Sequence, residues 1–136
     1  MYRRKEVEAI TTIPARRIQF YTESGLLSMD EENPGKGRER LYSRKNMVEL
    51  FLIRAMSDAR IELARIKQVM TEIRSAVNLA NLDGDAVPSY IFVQSLRDGS
   101  MRVFVSKDTF DGKKLQPAGG VFIIDFAEIV EKMNNI

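Results

Sequence analysis

Three side chains that could read DNA bases lie close together near the start of the sequence: Arg16, Arg17 and Gln19. An arginine can donate two parallel hydrogen bonds to guanine, and a glutamine amide can pair with adenine in the same way. Helix-turn-helix proteins contact base edges with residues in the first turn of their second helix. On such a helix these residues could recognise a DNA sequence; otherwise they are ordinary solvated side chains. Phe20, which follows Gln19, is expected in the core rather than at a contact.

Further basic residues could hold the sugar–phosphate backbone, whose contacts position a protein on DNA. Arg38 and Arg40 flank a predicted strand that ends at Tyr42, and Lys36 lies between two glycines in the preceding loop. Tyr21 could give its hydroxyl to a phosphate while its ring packs in the core, or it could be purely structural. The candidate DNA-binding residues, including one at the start of the first predicted helix, are Arg4, Arg16, Arg17, Gln19, Tyr21, Lys36, Arg38, Arg40 and Tyr42.

Cysteine and histidine are both absent from the sequence. Their absence excludes disulfides, thiolate or imidazole metal sites, cysteine nucleophiles and histidine general bases. The acidic pairs Asp83/Asp85 and Asp108/Asp111 are typical of turns rather than of paired catalytic carboxylates. We therefore predict no catalytic residue, no metal site and no cofactor, and we do not expect an enzyme.

Charge is distributed unevenly along the 136 residues. Residues 1–60 contain 12 Lys and Arg against 9 Asp and Glu, whereas residues 61–136 contain 9 against 10. This modest bias fits a nucleic-acid-binding half joined to a neutral half. No apolar run is long enough to span a bilayer, and the first residues enter a helical pattern without a signal peptide. We expect a cytoplasmic protein without membrane contact.

The elements that would position the candidate residues follow from the pattern of the first 42 residues. Residues 3–10 predict a short helix, and Pro14 begins a second one that runs to Ser24 before Gly25. Two such helices joined by a tight turn form a helix-turn-helix. The Pro-Gly turn between residues 26–29 and 38–42 then predicts a hairpin, which in this place is a wing.

Two further helices are predicted after the wing. Ser43 caps a helix over 44–58, with an inward face at Met47, Val48, Phe51, Leu52 and Ala55. A fourth helix over 62–80 carries apolar residues at alternating spacings of three and four. This stripe either packs within its own domain or forms a dimer seam. Its members are Leu63, Ile66, Met70, Ile73, Val77 and Ala80.

The last third of the sequence changes to strand periodicity after a linker at 81–88. Strands over 89–96 and 101–106 flank an Asp-Gly turn, and the apolar run 121–124 predicts a buried strand. Asp125 could cap a final helix over 126–134. Five aromatic residues could line an effector pocket, or could belong to the core or to a dimer interface: Tyr90, Phe92, Phe104, Phe122 and Phe126.

Three segments together resemble the MerR family of bacterial transcriptional regulators: 16–27, 38–43 and 61–67. In that family a recognition helix ends in an aromatic pair followed by Gly-Leu-Leu, the wing ends in Arg-x-Tyr, and a later helix opens with Leu-x-x-Ile-Lys. The resemblance implies a dimer that places its second helix in the major groove and its wing against the backbone. It also implies distortion of the promoter between two half-sites.

The sequence departs from the family at Gln19, Thr22 and Arg60, where arginine, glutamate and glycine are usual. An acidic segment follows Gly-Leu-Leu, where the family often has a basic residue. The long antiparallel dimerisation helix of the family is not apparent in the last third of the sequence.

We therefore predict an α+β fold. A winged helix-turn-helix with two further helices occupies residues 1–82, and a small hairpin, strand and helix unit for dimerisation or effector binding occupies 83–136. The predicted function is a transcriptional regulator that binds a pseudo-palindromic promoter site as a homodimer. Double-stranded DNA is the predicted partner, RNA polymerase is a further candidate, and the effector is unknown. Two alternatives are an excisionase-like or DNA-architectural winged-helix protein, and an interaction module that acts through residues 83–136.

Overall fold

The computed structural model describes residues 1–29, 39–107 and 120–136. Within these residues the fold is α+β, as predicted, with a two-stranded sheet, a three-stranded antiparallel sheet and five helices. The elements, in chain order, are β1 (Tyr2–Arg3), α1 (Arg4–Thr11), α2 (Ala15–Glu23), β2 (Leu41–Tyr42), α3 (Arg44–Asp58), α4 (Leu63–Ala76), β3 (Tyr90–Ser95), β4 (Met101–Ser106), β5 (Val121–Asp125) and α5 (Phe126–Asn134).

The first two helices form the predicted helix-turn-helix. Thr12 ends α1 in a left-handed conformation, with φ at 57°, and its N–H donates to the carbonyl of Glu8 at 2.9 Å. Pro14 stands at the N-cap of α2. Gly25 follows α2 with φ at 78°, a conformation that glycine adopts at little steric cost and that commonly ends helices. Both helices therefore have the expected bounds to within one residue.

The strand that enters α3 pairs with the N-terminus of the chain. Tyr42 of β2 lies opposite Tyr2 of β1, and Leu41 lies opposite Arg3. The prediction of an extended strand at 26–29 is wrong, because these residues form no strand and are held instead by side chains of α3 and α4. The predicted Pro-Gly turn lies outside the described residues.

Helix α3 is the central helix of the fold and has the bounds that the sequence predicts. Its N-terminus is closed by reciprocal hydrogen bonds: Asn46 N–H donates to Ser43 Oγ at 3.1 Å, and Ser43 N–H donates to Asn46 Oδ1 at 3.0 Å. Its buried surface is wider than the predicted face, since Leu50 and Ile53 are also fully buried. The reason is that α1, α4, α5 and β2 pack around it.

Helix α4 is shorter than predicted and buries most of its apolar stripe inside the chain. It ends at Ala76, after which Val77 adopts an extended conformation and remains buried. Ile66, Met70 and Ile73 face α3 and β4 and are at most 2% exposed. The dimer-seam interpretation of this stripe is therefore wrong for its central residues, which are already covered by their own chain.

The three-stranded sheet has the order β4-β3-β5, with β3 antiparallel to both neighbours. Ile91, Val93 and Ile124 on one face are buried in the core. The prediction that the apolar run 121–124 is a buried strand is confirmed for Ile124 and wrong for Val121 and Ile123. Val121 and Ile123 are 40% and 42% exposed, because β5 lies beside β3 and these two residues point to the face away from the core.

One buried core contains side chains from both parts of the chain. Val7 and Leu52 from the first part belong to the same apolar cluster as Ile91 and Met133 from the last third. Helix α5 begins at the predicted cap, where Asp125 accepts a hydrogen bond from Glu128 N–H at 3.2 Å, and it packs on α3. The division of the chain at residue 82 stays a prediction.

Candidate nucleic-acid interface

Helix α2 turns its polar residues away from the core. Ile18, Tyr21 and Thr22 are buried against the rest of the protein, and this fixes which side of the helix faces outward. Arg16 and Arg17 are exposed in the first turn of the helix. In the described part of the chain, no hydrogen bond or ion pair holds either guanidinium group. Both groups are therefore available to a ligand that approaches α2.

Gln19 and Arg4, two further candidates, meet on the same exposed surface. The guanidinium Nη1 of Arg4 donates to Gln19 Oε1 at 3.5 Å, which joins the start of α1 to the outside of α2. Gln19 Nε2 in turn donates to Glu23 Oε1 at 3.0 Å. Both the oxygen and the nitrogen of the Gln19 amide therefore have partners, and these partners compete with a base for the amide.

The exposure of Phe20 differs from the sequence prediction. The sequence predicts a core position, but the Phe20 side chain is 50% exposed on α2. Its ring centroid lies 6.0 Å from that of the buried Tyr21, with the two planes tilted by 56°. The neighbouring Tyr21 occupies the inward position, which leaves Phe20 outside.

The two candidate tyrosines are both buried, and their hydroxyl groups have partners inside the protein. Tyr21 OH lies 3.5 Å from Ser57 Oγ. Tyr42 OH lies 3.2 Å from Thr22 Oγ1. Since the Thr22 hydroxyl donates its proton to Ile18 O at 2.7 Å, Tyr42 is the donor to Thr22. This bond fixes α2 to β2, and phosphate contact by either tyrosine stays a prediction.

The remaining wing candidates are described only in part. Arg40 is half-buried next to β2, and the adjacent Glu39 pairs with Arg3 at 3.8 Å on the surface. Lys36 and Arg38 lie outside the described residues. The structure therefore brings together Arg4, Arg16, Arg17 and Gln19 at one surface.

The order of helix, turn, exposed basic helix and wing strand agrees with a comparison against protein families. Residues 2–73 match the model of the MerR HTH family of regulatory proteins. The chain belongs to the MerR HTH family. The matched residues contain α1, α2, β2, α3 and most of α4, so the family relationship includes every described candidate residue. As a MerR-type helix-turn-helix protein, it is a DNA-binding transcription regulator. A comparison with curated proteins finds no match.

A buried polar cluster of this MerR-type regulator was missed by sequence reasoning. We define the Glu49 cluster as Ser28, Asn46, Glu49 and Arg74. Glu49 is fully buried, and its carboxylate accepts hydrogen bonds from Arg74 Nε at 2.7 Å, from Ser28 Oγ at 3.0 Å and from Asn46 Nδ2 at 3.0 Å. The backbone N–H of Ser28 also donates to this carboxylate. The signal in the sequence is a single acidic residue inside an otherwise apolar stretch of α3.

The Glu49 cluster fixes the short segment 26–28 that follows α2. Arg74 also donates to the carbonyl of Leu26, and Asn46 Nδ2 donates to the carbonyl of Ser28 at 3.0 Å. Side chains from α3 and α4 therefore bind the backbone on both sides of Leu27. The Glu49 cluster therefore holds residues 26–28, which follow α2, against α3 and α4.

The five aromatic residues considered for an effector pocket lie on both faces of the C-terminal sheet. Phe92 and Phe104 stack with their ring centroids 4.8 Å apart on the face away from the main core cluster, beside Tyr90, and Phe92 is buried there. Phe122 packs against the core on the other face, and Phe126 is fully buried. The interpretation that all five line one pocket is therefore wrong.

Two further observations concern the chemistry of the described residues. They contain no cluster of three or more acidic side chains that could hold a metal ion. Each helix in the described part of the chain is too short or too polar to span a bilayer.

Proposed function

We propose that this MerR-type protein regulates transcription as a homodimer that binds a pseudo-palindromic promoter site. Each subunit would insert α2 into the major groove and rest the segment around Arg40 on the sugar–phosphate backbone. The observation that carries the proposal is the exposed side of α2, where Arg16, Arg17 and Gln19 face outward from a fully packed inner side. Arginine and glutamine in this position can pair with guanine and adenine.

The first experiment measures DNA binding across a salt series. The parent protein should bind a duplex selected from a random-sequence pool, with an affinity that falls steeply as salt rises. Arg17→Ala should weaken sequence-specific binding, by about ten- to a hundredfold if the arginine pairs bidentately with guanine. Arg40→Ala should weaken binding to all sequences and lower the salt slope by about one. Arg97→Ala, an exposed arginine at the β3–β4 turn, is the matched control and should bind like the parent.

We assign the dimer contact to residues 83–136. Two observations support this assignment: the central residues of the α4 stripe are buried in their own chain, and β5 exposes Val121 and Ile123. Sedimentation of the full chain should show a dimer, and Ile123→Asp should shift it towards a monomer. Leu63→Asp, at an exposed position of the α4 stripe, should leave the dimer intact. Dissociation by Leu63→Asp but not by Ile123→Asp would place the contact on α4 instead.

Transcription by RNA polymerase from the bound promoter, with and without the protein, separates a regulator from a DNA-architectural protein. A regulator changes the rate of initiation at the promoter that carries its site. A protein that only bends DNA binds the same site without changing initiation, and that result would contradict the proposal.

A further inference from the structure

The outermost position of α2 is occupied by an aromatic side chain rather than a polar one. Phe20 is 50% exposed, more than any other large apolar residue of the described chain except Met1. A single exposed apolar residue is common on protein surfaces. This one lies between the candidate base-reading residues of the recognition helix, so its position is informative.

Helical geometry places Phe20 on the central line of the outer face. At about 100° per residue, Phe20 lies about 160° around the helix from Ile18, which is fully buried. Arg16, four residues earlier, lies on the same face one turn away. Gln19 and Arg17 flank this central line on its two sides. If Arg16 enters a DNA groove, the Phe20 ring therefore enters the same groove.

The chemistry of the ring limits what it can contact in a major groove. Phenylalanine has no hydrogen-bonding group, so it cannot pair with the donors and acceptors of the base edges. The apolar group that the major groove presents is the C5-methyl of thymine. The adjacent Tyr21 ring, 6.0 Å away between centroids, supports the Phe20 ring in place.

We propose that Phe20 is a specificity-determining residue that packs against the methyl group of a thymine in the operator. This inference rests on the proposed insertion of α2 into the major groove. It predicts that each half-site contains a thymine next to the base pair that Arg16 contacts. Burial of one methyl group is equivalent to about a fourfold change in affinity.

The test removes the methyl group from the DNA and the ring from the protein. The probe is the duplex selected from a random-sequence pool, in which each thymine is replaced in turn by deoxyuridine. For the parent protein, replacement at one position in each half-site should weaken binding about fourfold. For Phe20→Ala, the same replacement should have no effect. Ile136→Ala, which truncates another exposed apolar residue, is the control and should keep the full sensitivity.

The possible results distinguish this inference from the proposed function. If no duplex is selected, or if binding does not depend on Arg17, the proposed function fails and the inference fails with it. If binding depends on Arg17 but deoxyuridine affects the parent and Phe20→Ala equally, only the inference is overturned. It is also overturned if Phe20→Ala binds DNA like the parent but no longer regulates transcription, because the ring would then contact a protein.

Discussion

Glu49 of α3 and Arg74 of α4 form a buried ion pair, with Arg74 Nε donating to Glu49 Oε2 at 2.7 Å. The Glu49 side chain is 0% exposed and that of Arg74 is 28% exposed, so the carboxylate depends entirely on protein partners. Arg74 also binds the carbonyl of Leu26, and Glu49 binds Ser28 N–H. The pair therefore joins two helices to residues 26–28, which follow α2.

Arg74→Leu is expected to lower the free energy of unfolding by about 3–5 kcal/mol. The variant leaves the Glu49 carboxylate buried without its cation. The free energy needed to bury this unpaired charge exceeds the free energy lost with the contact itself. Urea denaturation measures the change. Lys132→Leu, which breaks the exposed pair with Glu128 at 3.2 Å, is the control and should cost at most about 1 kcal/mol.

The double variant Glu49→Leu/Arg74→Leu should be more stable than Arg74→Leu alone, because it removes the unpaired charge as well. If Arg74→Leu costs no more than Lys132→Leu, the Glu49 cluster does not hold residues 26–28 in place.

Arg60→Gly is expected to stabilise the protein by about 0.5–1 kcal/mol. Arg60 adopts φ at 63° between α3 and α4, a left-handed conformation that is costly for a residue with a Cβ atom. The resemblance to the MerR family had already identified this position as one where glycine is usual. Thermal or urea unfolding measures the difference.

Two control variants separate backbone strain from charge. Arg60→Ala removes the guanidinium group but keeps the Cβ atom, so it should not stabilise the protein. Ala59→Gly, at φ −81°, should destabilise it. Equal stabilisation by Arg60→Gly and Arg60→Ala would show that charge, rather than backbone conformation, is responsible.

Local signals were sufficient to predict most elements of this fold. Ser43 and Asp125 cap α3 and α5 with hydrogen bonds to residues three positions away, and both helices begin where these residues predict. The Glu49 cluster could not be found in this way. Its partners Ser28 and Arg74 lie 21 and 25 residues from Glu49, so its burial depends on the tertiary arrangement of three segments.

The same distinction applies to the candidate interface. Ile18 and Tyr21 fix the inward side of α2, so exposure of Arg16 and Arg17 follows from helical periodicity. The prediction of a core position for Phe20 is wrong because apolar character alone does not determine burial. The exposure of one face of β5 was missed for a related reason. β5 is an edge strand of the three-stranded sheet because it pairs with β3, and the sequence of β5 alone does not encode this pairing.

Ser100→Ala is expected to raise the pKa of Asp98 towards its usual value near 3.8. The hydroxyl and the backbone N–H of Ser100 both donate to the Asp98 carboxylate, and the hydroxyl contributes most to its lowered pKa. The backbone bond at 2.9 Å remains in the variant, so the recovery should be partial. NMR titration of the side-chain carboxyl measures it.

The lowered pKa of Asp98 also determines in which direction the stability of the β3–β4 hairpin changes with pH. A carboxylate whose folded pKa is depressed stabilises the fold at pH values above its unfolded pKa. This contribution should therefore be present at neutral pH and lost as the pH falls below 3.8 through the folded value. An Asp98 titration midpoint that is the same in the parent and in Ser100→Ala would contradict the assignment to the hydroxyl.

Glu23→Ala is expected to strengthen DNA binding by about three- to tenfold at low salt. Glu23 is exposed on α2, and its carboxylate would face the phosphates that flank the groove. It also accepts a hydrogen bond from the Gln19 amide at 3.0 Å, and this bond competes with a base contact by Gln19. Fluorescence anisotropy with the selected duplex measures the affinity.

The Glu23→Gln variant separates these two contributions, because it removes the charge but keeps an oxygen that can accept from Gln19. If repulsion by phosphates dominates, Glu23→Gln and Glu23→Ala should strengthen binding equally, and the gain should shrink as salt rises. If release of the Gln19 amide dominates, only Glu23→Ala should gain, and Gln19→Ala should abolish that gain. Glu131→Ala, an exposed acidic residue of α5, is the control for net charge. An equal gain from Glu131→Ala would show that Glu23 has no special position at the interface.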